Sequence, residues 1–83
     1  MSVRERVLEH LKKALNYTLK ALKELEDTRR LCLSHGFNVY NNDGYSLRDG
    51  LKWRISDAAS LAEDILFAMK AIKAAREPKP GAR

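Results

Sequence analysis

A stripe of cations on the first predicted helix is interrupted by an aromatic ring and an imidazole. Arg6, His10, Lys13, Tyr17 and Lys20 recur at spacings of four and three residues, which places them on one side of a helix. Lys and Arg neutralise nucleic-acid phosphates, and an aromatic side chain stacks on bases. The stripe therefore indicates a nucleic-acid-binding surface as one interpretation, and a solvated helix face as the other.

Two large aromatic residues stand on the back of the second predicted helix. Trp53 and Phe67 lie opposite its main apolar stripe and recur at a multiple of seven residues. Buried aromatic anchors supply much of the binding energy of protein interfaces. The pair predicts a protein-binding surface; the alternative is an intramolecular contact, with Trp53 packed beneath the segment that connects the helices.

The connecting segment carries two further aromatic residues. It runs from His35 to Tyr45, and Asp43-Gly44 is a strong turn signal around which a miniature hairpin can form. A long loop that displays Tyr40 and Tyr45 is typical of a recognition site. The alternative is a hydrophobic plug that closes the end of a helical bundle.

A six-residue pattern ends the first predicted helix. Arg30-Leu31-Cys32-Leu33-Ser34-His35 places an apolar residue after the Arg, followed by three further residues and a His. This spacing resembles the core signature of the HEPN ribonucleases. The resemblance implies an RNA-cleaving dimer in which Arg30 contacts phosphate and His35 is the general acid and base. Because that family forms a longer helical bundle than 83 residues allow, we interpret Arg30 as a surface charge and His35 as a cation that favours the helix C-terminus.

No arrangement typical of a catalytic or metal centre is present in the sequence. The single Cys excludes an internal disulfide framework and any Cys-based zinc cluster. The sequence contains no nucleophile–base pair, glycine-rich phosphate loop or metal-ligand spacing. We therefore expect a protein that is not an enzyme and that uses no cofactor and no metal.

The composition favours helix. The chain has 83 residues, of which 45% are hydrophobic and 33% charged, with a net charge of +5 and only 4 Gly and 2 Pro. This balance is typical of one small all-α domain. No apolar run reaches the ~18 residues of a membrane span or resembles a signal peptide. We expect a cytoplasmic protein that does not bind membranes.

Apolar periodicity predicts two long helices folded into an antiparallel hairpin. The helices cover residues 3–34 and 46–76; the first is predicted to stop near Gly36, and Ser46 is predicted to cap the second. The segment 77–83, with two prolines, is predicted to be a disordered basic tail after a domain of residues 1–76. When the helices fold back, Leu8 faces Ile72 and Leu15 faces Ile65. The same antiparallel register then brings apolar residues together along the whole contact between the two helices, which we call the seam.

The apolar stripes of both helices are wider than one neighbour can cover. The stripe of the first helix spans roughly 160°, more than the seam of a two-stranded coiled coil. A scaffold this small also gains little net stability from its own core. The sequence therefore predicts a homodimer that forms a four-helix bundle.

Overall fold

The computed structural model of the protein describes residues 2–76, which form two α-helices that pack against each other. Helix α1 spans Val3–Ser34 and helix α2 spans Leu47–Ala74. No strand forms in this part of the chain, so the predicted all-α helical hairpin is confirmed. The predicted tail 77–83 lies outside the described residues. Within residues 2–76, no helix is long and apolar enough to cross a membrane.

Helix α1 begins and ends at residues with specific capping roles. The Ser2 hydroxyl accepts a hydrogen bond from the backbone N–H of Glu5 at 3.1 Å, which satisfies one of the free donors of the first turn. At the other end Gly36 has φ +62°, a left-handed conformation that favours glycine. The next N–H, of Phe37, donates to the carbonyl of Cys32 at 2.9 Å. The predicted glycine stop is thus confirmed as a Schellman-type end.

Hydrogen bonds at opposite ends of the hairpin agree on its register. At the open end, Arg4 Nη1 donates to the carbonyl of Ala75 at 3.0 Å. At the connector end, Arg48 Nη2 donates to the carbonyl of Cys32 at 3.3 Å. The residue numbers of the two pairs sum to 79 and 80, as the predicted seam requires. Both bonds are compatible with the predicted register.

The seam between the helices is thin. The molecule measures 57 × 24 × 17 Å, and its radius of gyration is 18.3 Å, whereas a compact domain of this length has about 12 Å. The buried helical residues are Thr18, Cys32, Leu51, Ala62, Ile65 and Met69. No described side chain is fully buried. Two helices in a single layer therefore bury only one side of each apolar stripe.

Candidate functional site

The connector folds into a small turn held by hydrogen bonds. Tyr40 and Ser46 form an isolated antiparallel bridge, and Asn41 and Tyr45 pair through an N–H···O bond of 2.9 Å. The side-chain oxygen of Asn41 accepts from the backbone N–H groups of Asp43 and Tyr45 at 2.9 and 3.0 Å. Gly44 follows with φ +84°. The miniature hairpin predicted around Asp43-Gly44 is confirmed, and its backbone holds the two tyrosines in place.

The connector is also tied to both helices. Ser46 is buried, and its hydroxyl caps α2 by accepting from the N–H of Asp49 at 3.1 Å. Arg48, in the first turn of α2, donates to the carbonyls of Phe37 and Cys32 at 3.0 and 3.3 Å. These carbonyls lie at the C-terminus of α1, where a cation is favourable. Arg48 therefore connects the end of one helix to the start of the next.

The aromatic residues of the connector are not a plug. Tyr40 and Tyr45 are 70% and 62% exposed, and Phe37 and Val39 are exposed too. A plug would bury these side chains between the helices. Within one chain, the connector therefore does not form the hydrophobic plug of the alternative interpretation.

Tyr45 lies between two shallow depressions at this end of the hairpin. It lines one depression together with Tyr40, Gly50 and Arg54. It lines the other depression with Trp53, which is 63% exposed. We call the side chains of Tyr40, Tyr45 and Trp53 the loop-end surface.

Charged groups border the loop-end surface. Arg54 lies beside Tyr40 and Tyr45, and it pairs with Asp57 at 2.9 Å in an exposed i,i+3 ion pair. Asp49 and Lys52 lie beside Tyr45 and Trp53. An apolar centre with a polar rim of both signs is the usual composition of a protein-binding patch.

Phe67 is not part of this surface. It is 75% exposed and lines a separate depression with Leu66, Met69, Lys70 and Lys73. At 1.5 Å per residue, it lies about 21 Å beyond Trp53 along α2. The sequence groups Trp53 with Phe67 by periodicity, whereas the structure places Trp53 beside Tyr45.

The cationic stripe of α1 is fully accessible. Its five residues are all exposed, and Tyr17 is among the most exposed aromatic residues of the chain. The stripe's cations take part in none of the ion pairs that the structure shows over residues 2–76. The stripe is thus open to solvent at every position. It lies on a different helix from the loop-end surface.

The Arg and the His of the HEPN-like pattern are both exposed at the end of α1. Arg30 forms an exposed ion pair with Asp27 at 3.0 Å, and His35 is the exposed C-cap of α1. Within residues 2–76, no group of three or more His, Cys, Asp or Glu side chains could hold a metal ion. The chain matches no protein-family model, no curated protein and no solved structure. Its function must therefore be argued from its own surfaces.

Two residues that position the site are not among those predicted from the sequence. Asn41 precedes Asp43 by two residues, a spacing that permits the side-chain-to-backbone turn seen here. Arg48 carries no comparable signal, because its bonds reach residues 11 and 16 positions earlier in the chain. Only the folded connector brings the carbonyls of Phe37 and Cys32 to its guanidinium.

Proposed function

We propose that the protein is a non-enzymatic helical interaction module that self-associates and binds a protein partner through the loop-end surface. The observation that carries the binding proposal is the convergence of three exposed aromatic residues on a turn fixed by hydrogen bonds. Rigid aromatic side chains lose little entropy when they bind, so they act as anchors of protein interfaces.

Self-association is supported by the apolar surface that one copy leaves uncovered. The larger apolar side chains that stay exposed along the two helices, apart from the aromatic ones, are Val3, Val7, Leu19, Leu31, Leu33, Leu61 and Leu66. No described side chain is fully buried. A second hairpin supplies the missing layer of a four-helix bundle.

Co-purification from the native host with matched variants tests the binding proposal. Trp53→Ser and Tyr45→Ser should lose a partner that the wild-type chain retains, because each removes one anchor. Phe67→Ser is the matched control: it also removes an exposed aromatic side chain from the chain, but one outside the loop-end surface. Loss of the partner in all three variants, or in none, contradicts the proposed site.

The second candidate function is nucleic-acid binding by the cationic stripe of α1. Its full exposure and its lack of acidic partners over residues 2–76 are the observations that favour it. Anisotropy titrations of duplex and single-stranded oligonucleotides should then show affinity that falls steeply with salt, and Lys13→Glu should reduce the slope by about one. The absence of salt-sensitive binding at low ionic strength contradicts this function.

A further inference from the structure

One face of the hairpin carries half-exposed leucines from both helices. Leu19 and Leu33 of α1 are 47% and 48% exposed, and Leu66 of α2 is 52% exposed. At about 100° per residue, these three side chains project toward one side of the helix pair. A depression lined by Leu33 of α1 and Ile55 of α2 shows that these flanks of the two helices adjoin. We call this side the leucine face, and its residues are Leu15, Leu19, Leu33, Ile55, Ala59 and Leu66.

Charged side chains follow both outer edges of the leucine face. By the same helical geometry, the edge formed by α1 carries Glu5, Glu9, Lys12, Lys20, Lys23, Asp27 and Arg30. The edge formed by α2 carries Lys52, Glu63, Lys70 and Lys73. All but Asp27 are exposed. The two edges lie on opposite sides of the face, so they do not neutralise each other within one hairpin.

We propose that the leucine face binds a second copy of this chain about a two-fold axis parallel to the long axis of the hairpin. In this dimer α1 of each copy lies beside α2 of the other, and both connectors lie at the same end. The inference rests on the self-association proposed above and adds its geometry. Rotation about such an axis does not move any residue along the long axis, so equivalent residues of the two copies lie at the same level of the bundle. The register between copies therefore equals the register within one hairpin, with paired residue numbers that sum to 79 or 80.

This register places opposite charges together at both ends of the interface. Glu9 of one copy lies opposite Lys70 of the other, and Asp27 lies opposite Lys52; both pairs sum to 79, like the Arg4–Ala75 pair within one hairpin. Glu5 of one copy lies one residue away from the position opposite Lys73 of the other, because their numbers sum to 78. Charge complementarity of this kind fixes register and suppresses other arrangements.

The same register also places cations near Glu63, the acidic residue of the α2 edge. Glu63 lies opposite Asn16, and Lys12 and Lys20 flank that position one helical turn to either side. No charged residue of the α2 edge then lies directly opposite a like charge, and the like charges nearest to Lys52 are Lys23 and Arg30, about one helical turn to either side of Asp27.

An unpartnered polar atom lies on the same side of the molecule. The Nε of Arg29 is buried and has no hydrogen-bond partner among the described residues. Its side chain lines the depression that also includes Glu26 and Leu33. A parallel two-fold axis brings the Glu26 carboxylate of the second copy within one helical turn of Arg29, where it can accept from the guanidinium.

Single-cysteine cross-linking tests the geometry. Leu19 and Ala59 face each other across the proposed interface, since their numbers sum to 78 and both lie on the leucine face. We would mix Leu19→Cys chains with Ala59→Cys chains, both in a Cys32→Ala background because Cys32 is a buried free thiol. Ala21→Cys mixed with Asp57→Cys is the matched control, with the same sum but on the opposite face.

The outcomes separate the geometry from the self-association on which it rests. We expect oxidation to convert the Leu19/Ala59 mixture mainly to a disulfide-linked heterodimer, with little product from Leu19→Cys alone or from the control mixture. A dimer in sedimentation that cross-links instead through Leu19→Cys alone, or through the control pair, overturns the parallel arrangement. A chain that sediments as a monomer overturns the self-association itself.

Discussion

The connector end and the helical body of the hairpin are held together by different forces. At the connector, hydrogen bonds accepted by the side chains of Asn41 and Ser46 and donated by Arg48 fix a short stretch of backbone, although its aromatic side chains are exposed. Along the body, apolar side chains meet across one thin layer, and no described side chain is fully buried. Hydrogen bonds are directional, so they fix the conformation of the connector. Apolar burial is not directional, and the body leaves part of its apolar surface exposed.

This difference suits the two regions to the different tasks that we propose for them. A surface whose backbone is already ordered loses little entropy when it binds, which suits the loop-end surface to a partner. A body that leaves leucines half exposed gains stability from any copy that covers them. Partner binding and self-association can therefore use separate parts of the same small chain.

The largest effect should come from removing a buried side chain from the body. Ile65→Ala should lower the free energy of unfolding by about 2–4 kcal/mol, because it removes buried apolar surface and leaves a cavity. Urea denaturation followed by circular dichroism measures the change. Phe67→Ala, at a 75% exposed position, should change it by less than about 0.5 kcal/mol. Equal effects would mean that Ile65 is not in the core.

An intermediate effect is expected where the connector is tied to both helices. Arg48→Met keeps the aliphatic stem but removes the two bonds to carbonyls of Phe37 and Cys32. Hydrogen bonds from charged donors contribute about 1.5–3 kcal/mol, and less where they are exposed. We therefore expect the free energy of unfolding to fall by an amount near the lower value. Arg54→Met is the control, since its ion pair with Asp57 is exposed and should contribute less than about 0.5 kcal/mol.

The smallest effects should have opposite signs at two glycines. Gly36 has φ +62°, and nothing lies within 4 Å of an added Cβ. Gly36→Ala should therefore lower the free energy of unfolding by about 1 kcal/mol through backbone strain alone. Gly50 is helical, with nothing within 4 Å of an added Cβ, so Gly50→Ala should stabilise by up to about 1 kcal/mol. Thermal unfolding of both variants checks the signs. Destabilisation by Gly50→Ala would show that the first turn of α2 is not the helix described here.

The sequence predicted those parts of the structure that depend on local signals. The bounds of α1, the stop at Gly36, the cap at Ser46 and the turn at Asp43-Gly44 each follow from residues a few positions apart. The hairpin register followed from the apolar pattern of two whole helices.

The grouping of the aromatic residues could not be predicted in the same way. Periodicity along α2 groups Trp53 with Phe67, but the structure places Trp53 beside Tyr45. The position of Tyr45 depends on how the connector folds back, which in turn depends on Asn41 and on the long-range bonds of Arg48. Helical periodicity carries no information about such contacts.

Sedimentation equilibrium over a range of protein concentrations tests most directly the claim that the helical body is incomplete in one copy. We predict a mass that rises with concentration to twice the 9.5 kDa of the chain, together with an unfolding midpoint that rises as the dimer forms. A constant mass of 9.5 kDa with a midpoint independent of concentration would show that one hairpin is stable without a second copy, and would contradict the account.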